Sequence, residues 1–190
     1  MNRQPLAAAL AAVGLATLAG CVLPGPAPVR YALIYGVSKY MPSRDEGVSP
    51  NLTYTDDDAR AMAALLGQQG YEVLLRENSE ATRTQMEADL QDLAATVQPQ
   101  DLVLLYFSGH GGDLSDFSPG TGFTIADLQA RWIFPYGSLD LETGGAIYRD
   151  KSISDADLHR MLAVLPIARV VVILDSCNSG GFVRQGADSD

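Results

Sequence analysis

Cysteine is scarce: Cys21 and Cys177 are the only two among 190 residues. Two thiols cannot build the disulfide framework that stabilises small secreted domains, and each sits in a setting that suggests its own task. Histidine is as rare, with His110 and His159 alone, and no CxxC or HxxxH spacing occurs, so a zinc site is not expected. Basic residues are outnumbered: 13 lysines and arginines face 23 acids, for a formal charge of −10. That balance argues against nucleic acid as a partner, because phosphate neutralisation needs the opposite sign. A cationic ligand suits such a field better. What remains is 47% hydrophobic and 19% charged, a folding composition rather than a disordered or collagen-like one. The length fits one domain.

The longest apolar stretch, Leu6 to Leu18, is too short for a comfortable bilayer span and follows a single positive residue, Arg3. It closes on Leu18-Ala19-Gly20-Cys21. Small residues before a cysteine resemble the lipobox of bacterial lipoproteins. The resemblance implies that residues 1–20 are a signal peptide and that Cys21 is lipidated and becomes the first mature residue. Several acyl chains make a stable anchor. An exported protein of the cell envelope is therefore expected. The outer membrane is favoured where the cell has one, since Val22 stands where an inner-membrane retention aspartate would. Pro24, Pro26 and Pro28 make residues 21–29 an extended tether. The folded domain is expected over 30–190.

Within that domain, Arg30 to Val37 (RYALIYGV) is short, apolar and punctuated by Gly36, the pattern of a buried strand. Ser38 to Leu52 predicts a loop. Thr55 to Gln69 places Ala59, Met62, Ala63 and Leu66 at helical spacing, with Thr55 as the expected cap and Asp56, Asp57 and Asp58 at the positive end of the dipole. Gly70 should end it. Tyr71 to Leu75 predicts a second strand. Thr82 to Val97 predicts a helix with Met86, Leu90 and Leu93 on one side, and Asp101 to Phe107 a nearly all-apolar strand. Residues 109–152 are glycine-rich and irregular, with short strands expected near Trp132–Phe134 and Ala146–Tyr148. Ser154 should cap a helix running to Leu165, and Arg169 to Leu174 (RVVVIL) predicts a fourth buried strand. This alternation implies an α/β fold, a mostly parallel sheet covered by helices on both faces.

In such sheets chemistry gathers beyond the carboxyl ends of the strands. Two strand ends carry reactive groups: Ser108-Gly109-His110-Gly111-Gly112 and Asp175-Ser176-Cys177-Asn178-Ser179-Gly180-Gly181. A thiol needs a base or an imidazolium neighbour to act as a thiolate at neutral pH. If the two strands are neighbours, His110 and Cys177 share one rim. The N–H groups of Gly111 and Cys177 are then candidates for one oxyanion hole. His159 lies mid-helix and reads as a surface residue.

The segments YALIYGVSKY, TDDDA, VLLYFSGHGG and VVVILDSCNSGG, in this order over residues 30–183, resemble the caspase-like cysteine peptidases of family C14, in particular metacaspases and bacterial caspase homologues. The resemblance implies a three-layer α-β-α sandwich and a peptidase dyad, with Cys177 as nucleophile and His110 as general acid and base. It also implies an acidic S1 pocket for Arg or Lys, at the matching positions Asp58, Ser108 and Asp175. Caspases proper read Asp through arginines, and Arg44, the only nearby candidate, is wrongly spaced. Metacaspases often carry cysteine at the position of Thr55 and histidine at that of Asn178. The family domain continues past the cysteine block, whereas this sequence ends at Asp190, so the C-terminal part is expected to be missing. No cofactor is required. Calcium is the one the family leaves open, and Asp113, Asp116, Asp140 and Glu142 lack a regular ligand pattern for it. The expected partner is a protein or peptide substrate, and the expected state a monomer. A non-catalytic caspase-fold scaffold on the envelope and acyl transfer at the same dyad are the competing functions.

Overall fold

The computed structural model describes residues 27–40, 51–114, 118–119, 122–140, 146–167 and 169–182. The expectations for the signal peptide, Cys21, Arg44, Asp116, Glu142 and the C-terminal residues lie outside them. Four parallel strands form the main sheet: β1 (Arg30–Gly36), β2 (Glu72–Glu77), β3 (Leu102–Ser108) and β10 (Val170–Asp175), in the order β10-β3-β1-β2. The chain steps from β1 to one neighbour and then crosses back to the other, so strand order reverses between β1 and β3. At that reversal the register aligns Asp175 with Ser108, Ser108 with Gly36, and Gly36 with Glu77 in one row at the carboxyl rim. The mostly parallel sheet with helices on both faces is the expected α/β sandwich.

Each face of β1 and β3 is buried against a different layer. On one face Ala32, Ile34, Leu104 and Tyr106 pack with Ala59 and Leu66 of α1 (Thr55–Gln68), and Met62 and Ala63 join them. On the other, Leu33, Tyr35, Val103, Leu105 and Phe107 meet Met86 and Leu90 of α2 (Arg83–Ala94) and Leu158 and Met161 of α3 (Asp155–Leu162). Helix α1 ends as its sequence suggests. Gly70 takes φ +76°, its N–H donates to the Gly67 carbonyl, and the Tyr71 N–H donates to that of Leu66.

The start of α1 differs from expectation. Its N-cap position is Tyr54, with no side-chain cap. Thr55 is the first helical residue, and its hydroxyl donates to the Val37 carbonyl at 2.7 Å. The hydroxyl ties the helix to the end of β1 instead of capping it. Gly36 makes that approach possible, since a Cβ there would lie 2.5 Å from Ala59 Cβ and 2.7 Å from the Thr55 carbonyl.

The fourth strand departs in another way. Val171, Val172 and Ile173 are 42%, 37% and 37% exposed, because among the described residues β10 is the edge of the sheet.

Between β3 and α3 the irregular region holds two small sheets. β4 (Gly111–Gly112), β6 (Trp132–Ile133) and β9 (Ile153–Ser154) are antiparallel in the order β4-β6-β9. β5 (Ser118–Pro119), β7 (Leu139–Asp140) and β8 (Ala146–Ile147) form the other. β6 and β8 were expected. Pairings only two residues long carry no readable period, so the remaining four were not.

Ser154 caps α3 in a reciprocal box with Asp157. Asp157 is buried, at 1% exposure, and its carboxylate also receives Arg83, Arg149 and Arg160. Burial alone would push this carboxyl up. The Ser154 N–H, Arg149 and Arg83 outweigh it and hold the group below its ordinary value. A depressed carboxyl stabilises the fold above its unfolded value, near 3.8, and loses that contribution as pH falls through the folded one. We therefore expect Asp157→Ala to cost about 3 kcal/mol at pH 7, since it strands partly buried guanidinium groups. Asp157→Ala should also show a shallower loss of stability below pH 4 than the native chain. Urea melts across pH check both.

Candidate active site

β3 and β10 are adjacent and parallel, so the segments that follow them leave the sheet side by side. The Gly109 N–H donates to the Asp175 carbonyl at 3.2 Å, joining the two just beyond the rim. Gly111 then lies directly against the cysteine loop: a Cβ there would sit 2.7 Å from the Cys177 carbonyl oxygen and 2.8 Å from Ser176 Oγ. On the other flank of His110, a Cβ on Gly109 would come within 2.7 Å of Tyr40 Oη and 2.9 Å of the Phe107 ring. Gly109 and Gly111 of the SGHGG segment are thus explained by close packing. His110 and Cys177 are brought to adjoining loops, as the strand-end argument requires.

Cys177 is a free, exposed thiol. Asn178 follows it at φ +58°, a left-handed conformation that asparagine tolerates better than most residues. A short 3-10 turn, Ser179–Phe182, comes next. On the other side, Phe134 N–H donates to the His110 carbonyl at 3.0 Å. With Gly111 paired to Ile133, the alternation of an antiparallel ladder turns the Gly111 N–H away from β6.

The acidic residues separate into two groups. Arg60 engages Asp56, Asp57 and Glu77 on the surface of α1. Asp56 also faces Ser38 and Asn78. Burial opposes its ionisation, but these hydrogen bonds and Arg60 hold it below the usual carboxylate range. Asp58 bears instead on Tyr106. The Tyr106 hydroxyl donates to Asp175 Oδ2 at 3.3 Å. Burial pushes the Tyr106 pKa above its ordinary value most, the nearby Ser108 hydroxyl opposes this, and the charges of Asp175 and Asp58 push it further up. Asp58 and Asp175 are exposed, and Ser108 is fully buried between the strand ends, its Oγ without a hydrogen bond among the described residues. Asp58, Ser108 and Asp175 therefore gather around one tyrosine, Tyr106.

A family model for the caspase domain, peptidase C14, matches residues 29–190. The chain belongs to the caspase-domain family. Metacaspase-1 of Mycosarcoma maydis is 31% identical over 162 residues, covering 80% of this chain and 36% of that protein. Metacaspase-1 of Saccharomyces cerevisiae is 32% identical over 102 residues, 52% of this chain and 20% of the relative. Among solved structures, protein GSU0716 from Geobacter sulfurreducens superposes with a TM-score of 0.57 at 25% identity, over 79% of this chain and 51% of that one. This caspase-domain chain thus spans less than half the length of the metacaspases it matches.

Two tyrosines of this caspase domain escaped sequence reasoning. Tyr106 hides as one more apolar residue in DLVLLYF, and only the register with β10 places its hydroxyl against Asp175. Tyr40 stands in a loop 70 residues from its partner, His110. Of the acids considered for calcium, Asp113 pairs with Arg131 at 3.7 Å. The Asp140 side chain lies outside what is described.

Proposed function

We propose that this caspase-domain chain is a cysteine-type endopeptidase that cleaves after Arg or Lys through a Cys177–His110 dyad. The observation that carries it is the pairing of β3 with β10, which delivers the only described thiol and His110 to loops joined by the Gly109–Asp175 hydrogen bond. His110 takes the Cys177 proton, and the thiolate adds to the scissile carbonyl carbon. The oxyanion rests on the N–H groups of Gly111 and Cys177. On collapse the C–N bond breaks, and His110 returns its proton to the departing amine. Water, deprotonated by His110, then hydrolyses the thioester and frees the carboxylate and the thiol. Asp58 and Asp175 supply the charge for a P1 guanidinium or ammonium, a pairing that is bidentate for arginine. Buried Ser108 offers its unused hydroxyl to the same group. Cys21 keeps its expected role as a lipidation site that holds the enzyme at the cell envelope, which mass spectrometry of the N-terminal peptide decides.

Fluorogenic peptides differing only at P1 test the peptidase reading. We expect turnover with Arg and Lys and little with Asp. Turnover with Asp alone would retain the dyad and refute the acidic pocket. No turnover with any peptide, together with no labelling of Cys177 by a P1-Arg electrophile, would refute the peptidase.

A further inference from the structure

Tyr40 is 3% exposed and makes two hydrogen bonds through one oxygen. Its hydroxyl accepts the His110 N–H at 2.7 Å and donates to the Phe134 carbonyl at 2.8 Å. Phe134 in turn donates its own N–H to the His110 carbonyl. The three groups close a ring that holds both backbone polar groups of His110, its N–H and its carbonyl. The phenol ring also lies against the imidazole, with centroids 4.7 Å apart and planes tilted by 51°. Backbone and side chain of the same histidine are thus held by one buried residue.

We infer that Tyr40 is the positioning residue of the dyad, fixing where His110 presents its imidazole to Cys177. This rests on the peptidase reading above and extends it to a residue outside the dyad. The chemistry of the phenol suits the task. Burial drives its ionisation far above the ordinary tyrosine range, with the His110 N–H opposing weakly, so the hydroxyl stays a donor at every working pH. The loop that carries Tyr40 is itself anchored. Asn51 Oδ1 accepts the Tyr40 N–H at 2.8 Å, and Asn78 Oδ1 accepts the N–H groups of Ser38 and Lys39. The absence of a side chain at Gly109 leaves room for the hydroxyl.

A misplacement of about 1 Å in a reacting group can cost a hundredfold in rate. Tyr40→Phe keeps the ring and removes both hydrogen bonds. We expect kcat to fall about tenfold to a hundredfold with KM within about twofold. The acidic limb of Cys177 alkylation by iodoacetamide should move to higher pH, because a loosened imidazole stabilises the thiolate less. The titratable groups on the elements beside His110 include, among the described residues, Cys177 on the adjoining loop, Asp175 at the end of β10, Tyr40 against the imidazole, and Asp113 in its pair with Arg131. If Tyr40→Phe does not fold, Gly109→Ala displaces the hydroxyl while retaining Tyr40 and should change kcat and the alkylation profile in the same direction.

The controls separate the two levels. Alkylation of the native protein that is no faster than a free thiol, and unchanged in His110→Ala, would overturn the dyad and Tyr40's role with it. Fast native alkylation slowed by His110→Ala but unchanged in the folded variant, Tyr40→Phe or failing that Gly109→Ala, would overturn the role of Tyr40 alone.

Discussion

Cys177→Ala is expected to lower turnover of a P1-Arg peptide by at least about ten-thousand-fold, with no compensating change in KM. His110→Ala should approach the same floor, because a thiol without its imidazole is mostly protonated at neutral pH and the leaving amine has no proton donor. The double variant should be no worse than the more damaged single one. Residues that act as one unit lose their effect once, so near-complete non-additivity is the signature of a dyad rather than of two independent contributors. Steady-state rates of the four proteins decide it. Thermal melts supply the control: Cys177 is exposed, so its truncation should change stability by no more than about 0.5 kcal/mol. Additive losses, or loss of fold in Cys177→Ala, would refute a catalytic pair.

The parts of this fold that the sequence revealed are those with a period or a strong local signal. β1 and β3 are buried on both faces, so RYALIYGV and DLVLLYF read as unbroken apolar runs. Helix α1 shows its stripe in Ala59, Met62, Ala63 and Leu66, and Gly70 marks its end. The two candidate loops were legible because a glycine-flanked histidine follows one apolar strand, and a cysteine ahead of the Gly180–Gly181 pair follows another. What stayed hidden depends on distant pairing. Asp89 and Asp157 look like ordinary helical surface charges. Yet Asp89 is buried with Arg76 and the Tyr35 hydroxyl, and Asp157 with three arginines. The exposure of β10 could not be inferred from an apolar run, since composition does not report position within a sheet. Tyr40 closes the family-like segment YALIYGVSKY, but its role was hidden, because its partners are the backbones of His110 and Phe134, 70 and 94 residues away.

The acidic rim carries the second large expectation. Asp58→Asn/Asp175→Asn should lower kcat/KM for a P1-Arg peptide about a hundredfold or more, since in the proposed pocket each carboxylate would make a charge-assisted contact to the guanidinium. The loss should be specific to charge. A peptide with citrulline at P1 has nearly the same shape as arginine but no charge, and its hydrolysis should change little. The ratio of the two rates, high in the native protein, should therefore collapse in the variant. Raising the salt concentration should weaken P1-Arg turnover in the native protein and much less in the variant, because both carboxylates are exposed to solvent. Asp175→Asn should account for more of the loss than Asp58→Asn. Asp175 is oriented by the Tyr106 hydroxyl and held beside Ser108 by the strand register, whereas Asp58 sits in the first turn of α1 and reaches the site from one side. Tyr106→Phe tests that orientation. It leaves both charges in place and should cost only a few-fold with P1-Arg, most of it in KM. If the double variant kept the native preference for arginine over citrulline, these carboxylates would be helix-end and loop charges, and the basic preference would have to come from elsewhere in the cleft.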